Sequence, residues 1–406
     1  MRSPRTPKAA ALVAVTGFLL AACATGVESP VAGTEPEVSP AGPGDPQSLE
    51  PVEESAIEDT VSALVNPASP ELPEPLVDTS RILPGGPPPD GIPPVDDPLF
   101  EKAGAVDWLS AREPVLALEI GGQARAYPVQ ILIWHEIVND TVAGVPVAVT
   151  YCPLCNSAIG FDRRVGDRLV TFGTSGKLFK SDLVMYDRQT ESLWPQIEGR
   201  AVAGTLTGTE LERVPVATVP WDQWLAAHPD GWVLSRQTGY DRDYGRNPYQ
   251  SYDQPDAEPF LFDGTSDPRL PPKERVVGIG GADPVAVPLA RVSREHVVSL
   301  DVAGELRVVW GIAGLNSALD TDRIEDGREI TATGVFDPEV DGRVLAFRPA
   351  GPDQFVDSRT GSTWNVFGLA VAGRLEGTQL TAVPHIDTFW FAWAAFQPDT
   401  RLETGA

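Results

Sequence analysis

Apolar and polar positions alternate in short runs over most of this chain, the period-two pattern of half-buried strands. Glu136 to Asn139, a turn around Val142-Ala143-Gly144 and the run Val145 to Tyr151 predict a β-hairpin. Ala158 to Arg163, a turn at Gly166-Asp167 and Arg168 to Phe172 predict the next one. Leu183 to Tyr186 predicts a further strand, ended by the polar run Asp187 to Ser192. Near residue 220 the period changes. Trp221, Trp224 and Leu225 share one face of a short helix, with Thr218 as the expected cap and Pro229 as the stop. A matching helix, capped by Asp387 or Thr388, is predicted before Pro398. The fold class is therefore mainly β with a few short helices, a β-rich α+β body.

The patterns recur along the chain. Asn156 to Arg163 (NSAIGFDR) is matched by Asn316 to Arg323 (NSALDTDR), and Tyr127-Pro128-Val129 parallels Val287-Pro288-Leu289, both 160 residues on. Asp187 to Trp194 reappears as Asp357 to Trp364 at an offset of 170. Val214-Pro215, Trp221, Trp224 and Pro229-Asp230 reappear as Val383-Pro384, Trp390, Trp393 and Pro398-Asp399 at 169. Two copies of ~130 residues predict an internally duplicated unit rather than a solenoid. The expected division is two β-rich lobes, 101–236 and 275–406, joined by a connecting segment over 237–274. What both copies keep reads as scaffold: the tryptophans as core anchors, the Asp-to-Trp block as turn chemistry. What only the first copy keeps is a candidate for chemistry.

The N-terminus changes the cellular picture. Arg2, Arg5 and Lys8 precede the short apolar run Ala9 to Leu20, which leads to Leu20-Ala21-Ala22-Cys23. That order is a secretion signal over residues 1–22, and the end of it resembles the bacterial lipobox, with lipidation of the Cys23 thiol. The expected localisation is extracytoplasmic, with a lipid anchor in the bacterial cell membrane. Residues 24–100 hold 17 prolines and 15 acidic residues against Arg81 alone, so 23–100 is expected to be a disordered acidic tether. This stretch supplies 14 of the 26 net negative charges, and such a balance excludes nucleic acid as a partner.

Four blocks identify a resemblance: Tyr127 to Asp140 (YPVQILIWHEIVND), Thr150 to Ala158 (TYCPLCNSA), Met185 to Trp194 (MYDRQTESLW) and Tyr240 to Gly245 (YDRDYG). They are similar to the signature blocks of a bacterial domain-of-unknown-function family, number 3179, from about Asp90 to the C-terminus. The resemblance implies an exported, often lipidated protein and brings no established activity.

Beyond Cys23, the cysteines are Cys152 and Cys155, in the run Tyr151-Cys-Pro-Leu-Cys-Asn156. The hairpin geometry predicts that His135 and Glu136 share a rim with them, with Met185 on a neighbouring strand. At the repeat offsets the cysteines become Ile312 and Leu315, His135-Glu136 becomes Glu295-His296, and Met185 becomes Phe355. The whole constellation changes together. One reading is a metal or electron-transfer site in the first unit, on Cys152, Cys155 and His135 with Met185 or Glu136 as a fourth ligand. Those soft donors suit copper, with zinc the alternative if Glu136 or Asp182 completes a tetrahedron. A second reading makes the cysteines the catalytic pair of a thiol-disulfide oxidoreductase. A third is a non-catalytic surface binding or scaffold module pinned by a structural disulfide.

Haem is excluded, since c-type attachment needs histidine after the second cysteine and position 156 is Asn. Nucleotide is excluded as well, because Gly173 to Lys177 lacks the frame of a Walker loop. Asp241 to Asn247 lacks the glycine spacing and distal glutamate of a calcium loop, and a packed connection is expected there.

Overall fold

The alternation in Ile137–Val142 and Val145–Cys152 becomes an antiparallel hairpin with Ile137 opposite Thr150 and Val142 opposite Val145. Its loop is Ala143-Gly144, both at positive φ (48° and 80°), the handedness that matches strand twist. Ser157–Asp162 adds to the other side of Val145–Cys152, placing Ser157 opposite Cys152. The computed structural model describes residues 53–405, all within the unit Asp45–Ala406. The signal segment, Cys23 and the tether up to residue 52 lie outside the described residues.

The body is mainly β, with four short α-helices among the described residues: α1 (Val129–His135), α2 (Trp221–Ala227), α3 (Leu289–Glu295) and α4 (Trp390–Phe396). None of its described helices is long and apolar enough to cross a membrane. A second sheet pairs Pro114–Ile120 with Gln123–Pro128, flanked by antiparallel Ala217–Pro220 and parallel Trp232–Leu234. A third pairs Phe172–Phe179, Asp182–Asp187 and Leu193–Pro195, with Ile82–Pro84 on its edge.

Residues 275–405 run through the same order of elements. Arg275–Ile279 and Val285–Pro288 are flanked by antiparallel Ile386–Phe389 and parallel Arg401–Leu402. Helices α1 and α3 both end on a residue at φ 59°, Glu136 in the first half and His296 in the second. The halves are not separately cored. One apolar cluster joins Cys152, Cys155 and Trp194 to Phe389, Trp390 and Trp393, and another joins Trp221 and Trp224 to Trp310 and Trp364.

Three expectations need correction. First, residues 53–100 are laid on the body rather than forming part of a free tether. Ile82 and Val95 are buried, and Val95 bonds on both sides of Val138, to Ile137 O and Asn139 N. The acidic residues find arginines: Glu54 pairs with Arg163, Glu58 with Arg168, and Asp90 and Asp96 with Arg188. Composition counted the segment's charge alone, without the complementary charge on the surface it meets.

Second, the helix caps differ. Helix α2 follows Pro220 and α4 follows Phe389, with no side-chain cap at either. Thr218 lies in the strand before α2, and Asp387 accepts instead from Thr333 Oγ1 at 2.7–2.8 Å. Third, the Asn156 and Asn316 blocks are not equivalent in space. Ser157–Asp162 is a strand, whereas Asn316 ends the strand Glu305–Asn316 and residues 317–323 form a loop.

Candidate metal centre

Because one strand ends at Cys152 and the next begins at Ser157, the Cys-Pro-Leu-Cys run is a tight reversal. Asn156 adopts φ 53° to complete it, its N–H donating to Pro153 O at 3.3 Å. Gln196 clasps the strand ends. It accepts from Ser157 Oγ (2.6 Å) and donates to Thr150 Oγ1 (2.9 Å) and Ser157 O (3.1 Å). The second half pins the turn from outside, since Cys155 O accepts from Phe389 N (2.9 Å) and Thr388 Oγ1 (2.8 Å). A turn held at both ends and from above has little freedom to move its sulfurs.

The third donor comes from another hairpin. Phe172–Phe179 and Asp182–Asp187 are joined by Lys180-Ser181, both at positive φ (55° and 69°), which rarely suits residues with a Cβ. Lys180 Nζ fastens this loop to α4 through Ala395 O at 2.7 Å. Asp182 thereby reaches the cysteine turn. One ligand atom each from Cys152, Cys155 and Asp182 lie within 4.8 Å of one another, and all three residues are buried. Cys155 Sγ is 3.6 Å from Asp182 Oδ1 and 3.6 Å from Ser181 O, while Asp182 Oδ2 accepts from Ile197 N at 2.9 Å. Both cysteines are free thiols, so the disulfide reading does not describe this structure.

Burial dominates the electrostatics. It pushes the Cys155 thiol well above its usual range, and the neighbouring Cys152 adds to the effect. It pushes the Asp182 carboxyl up to about 7 despite the hydrogen bond from Ile197. Glu136 is pushed up to about 8, by burial first and then by Asp182. Acidic groups crowded out of water resist ionisation, and a bound cation inverts that preference. Chemically, the Cys152, Cys155 and Asp182 group could hold a metal ion.

The remaining expected ligands are placed differently. His135 ends α1, and both ring nitrogens are engaged: Nδ1 with Pro93 O and Nε2 with Tyr244 Oη, each at 2.6 Å. Burial lowers its pKa. A neutral ring that donates through Nδ1 and accepts through Nε2 satisfies both contacts, so His135 acts as a buried clasp between segments. The sequence placed it near the cysteines on strand geometry, but residues 129–135 form a helix. Met185 sits opposite Thr174 and Trp194 in the sheet and is buried in the same apolar cluster as Cys152 and Cys155. Glu136 lies close enough to Asp182 to feel its charge but, like His135, is outside the group formed by Cys152, Cys155 and Asp182. Gln196, Thr388 and the Lys180-Ser181 loop were invisible as site elements, because only long-range pairing brings them to the turn.

The protein family described as "Protein of unknown function (DUF3179)" matches residues 89–400, and the chain belongs to it. No curated protein and no solved structure matches the chain.

Proposed function

We propose that the protein binds a single metal ion, with zinc the best fit, on Cys152, Cys155 and Asp182. The observation behind this reading is the convergence of two thiols and a carboxylate within 4.8 Å of one another, on three buried residues. Two thiolates with a hard carboxylate suit zinc better than copper, and the imidazole of His135 lies outside the group. Three protein donors are one short of a closed structural tetrahedron, the pattern of a site that keeps a position for water or a small ligand. Elemental analysis tests the reading: about one equivalent of zinc is expected, and none in Cys152→Ser. Replacement by cobalt should add thiolate-to-metal charge-transfer absorption. Metal content unchanged in that variant would sink the idea.

The second reading is a redox dithiol, favoured by the adjacent free thiols. It is the weaker one, because thiolate is the attacking species and burial holds the Cys155 thiol protonated. A reducible disulfide that forms in metal-free protein near the poise of its compartment would promote it. The proposal includes export and lipid anchoring through Cys23, supported by the lipobox-like sequence. Labelled palmitate should enter the parent and not Cys23→Ser. In an oxidising compartment, burial and metal together would keep two adjacent thiols reduced.

A further inference from the structure

A cavity of about 400 Å³ adjoins the cysteine turn, within the size range of small-molecule sites. Its floor includes Leu154, which sits between the two cysteines, and Leu183, which follows Asp182. Tyr249 and Tyr252 face it from the connecting segment, ring centroids 6.4 Å apart and edge to face, with the half-exposed Phe260 beside them. The lining is thus apolar and aromatic, apart from a few polar side chains. Among these are one acid and one base: Glu136, which is buried, and Lys177, which is partly exposed. Among the described residues Lys177 joins no ion pair, unlike most of the chain's arginines.

Flat rings suit the tyrosine wall, where edge and face contacts add to area burial. An unpaired ammonium at an apolar wall selects an anionic end on the guest. Glu136 selects a hydroxyl, which can donate to a carboxylate or accept from a carboxylic acid and so serves either state. We propose that this cavity binds a small aromatic carboxylate that also carries a hydroxyl, its acid group on Lys177 and its hydroxyl on Glu136. The site does not require the metal, although its occupant would touch the residues next to two of the metal donors.

The test is a fluorescence titration of the full-length chain with 6-hydroxy-2-naphthoate, alongside its methyl ester and 2-naphthoate. Saturable one-to-one binding is expected. It should weaken about tenfold or more for the methyl ester and equally in Lys177→Met, the loss typical of one charge-assisted hydrogen bond. The analogue without the hydroxyl should also bind less tightly than the parent probe. Binding in Cys152→Ser should persist, which separates this site from the metal reading. Failure to saturate, or ester and acid binding alike, overturns the proposal. The ester comparison needs no variant, so a misfolded Lys177→Met protein cannot obscure the result.

Discussion

The cysteine turn and its counterpart in the second half begin alike and then part. Up to this point the strands correspond: Ile137 faces Thr150 as Val297 faces Trp310. Cys152 then faces Ser157 five residues later, whereas Ile312 faces Ala332 twenty residues later. The second strand runs on through a bulge between Ile312 and Leu315 before its long loop. The next hairpin differs in the opposite sense. Phe172 faces Asp187 across fifteen residues, and Phe347 faces Asp357 across ten. So the first half has the tight turn that carries two sulfurs and the long hairpin that brings Asp182 to it; the second half has neither. In their place Ile312, Leu315 and Phe355 are buried together with Trp310, whose ring stacks on Phe355 at 4.3 Å. The site is a product of two loop lengths, and the cysteines alone do not make it.

The most severe test of that conclusion transplants the thiols. Ile312→Cys combined with Leu315→Cys should leave the metal stoichiometry of the protein unchanged, because no carboxylate-bearing hairpin reaches that position. Conversely, Asp182→Ala keeps both native thiols and should weaken metal binding by more than the ~10–100-fold typical of changes outside the donor set. Elemental analysis after dialysis against a chelator reads both. An extra equivalent in the transplanted protein would show that two thiols suffice and that the hairpin is incidental.

The sequence carried the local part of this contrast and not the long-range part. The hairpin Ile137–Val142/Val145–Cys152 was legible because alternation and the Ala143-Gly144 turn agree. Helix α1 was not, since Val129 to Trp134 is apolar apart from Gln130 and shows no amphipathic stripe. That omission misplaced His135, which α1 turns toward Pro93 and Tyr244. Asp182 was only one of several possible carboxylates, because its approach depends on the Lys180-Ser181 loop and on α4, more than 200 residues away. The eight-residue match at Asn156 and Asn316 misled for a related reason. Sequence similarity survived where the loop length between strands had changed.

Protonation at the site gives a smaller effect. In metal-free protein, Glu136 and Asp182 are held up to about 8 and about 7, against ordinary values of 4.5 and 3.8. Both pKa values are raised by folding. Their contribution to stability is therefore fully present below about pH 4 and is lost as pH rises through 7 and 8. Glu136→Gln removes one share of that loss. Relative to the parent it should gain stability between pH 5 and pH 9, up to on the order of 4 kcal/mol. Urea unfolding with chelator present measures it, and metal added at pH 9 should narrow the gap by stabilising the ionised donors. Parallel pH profiles for parent and variant would mean that Glu136 reaches water and is not held in the cavity wall.

The smallest effect comes from the feature the halves share most closely. Asp187 accepts from Thr190 N (2.7 Å), Ser192 N (3.2 Å) and Trp194 Nε1 (3.0 Å). Asp357 accepts from Thr360 N (2.5 Å), Ser362 N (3.1 Å) and Trp364 Nε1 (3.2 Å). The turns are alike, but their surroundings differ. At Asp187 burial outweighs the hydrogen bonds and raises the pKa; at Asp357 burial opposes, yet the bonds led by Thr360 prevail and lower it. An Asn variant of either should lose roughly 1–3 kcal/mol through the weakened bonds. The pH trends should run in opposite directions. The advantage of Asp187 over Asn shrinks as pH rises above about 3.8, whereas that of Asp357 falls away as pH drops below it. Urea midpoints of Asp187→Asn and Asp357→Asn at pH 3 and pH 6 decide it. Slopes of the same sign would mean that the two turns titrate alike and that the wider surroundings of Asp187 do not set it apart from Asp357, both carboxylates being almost fully buried.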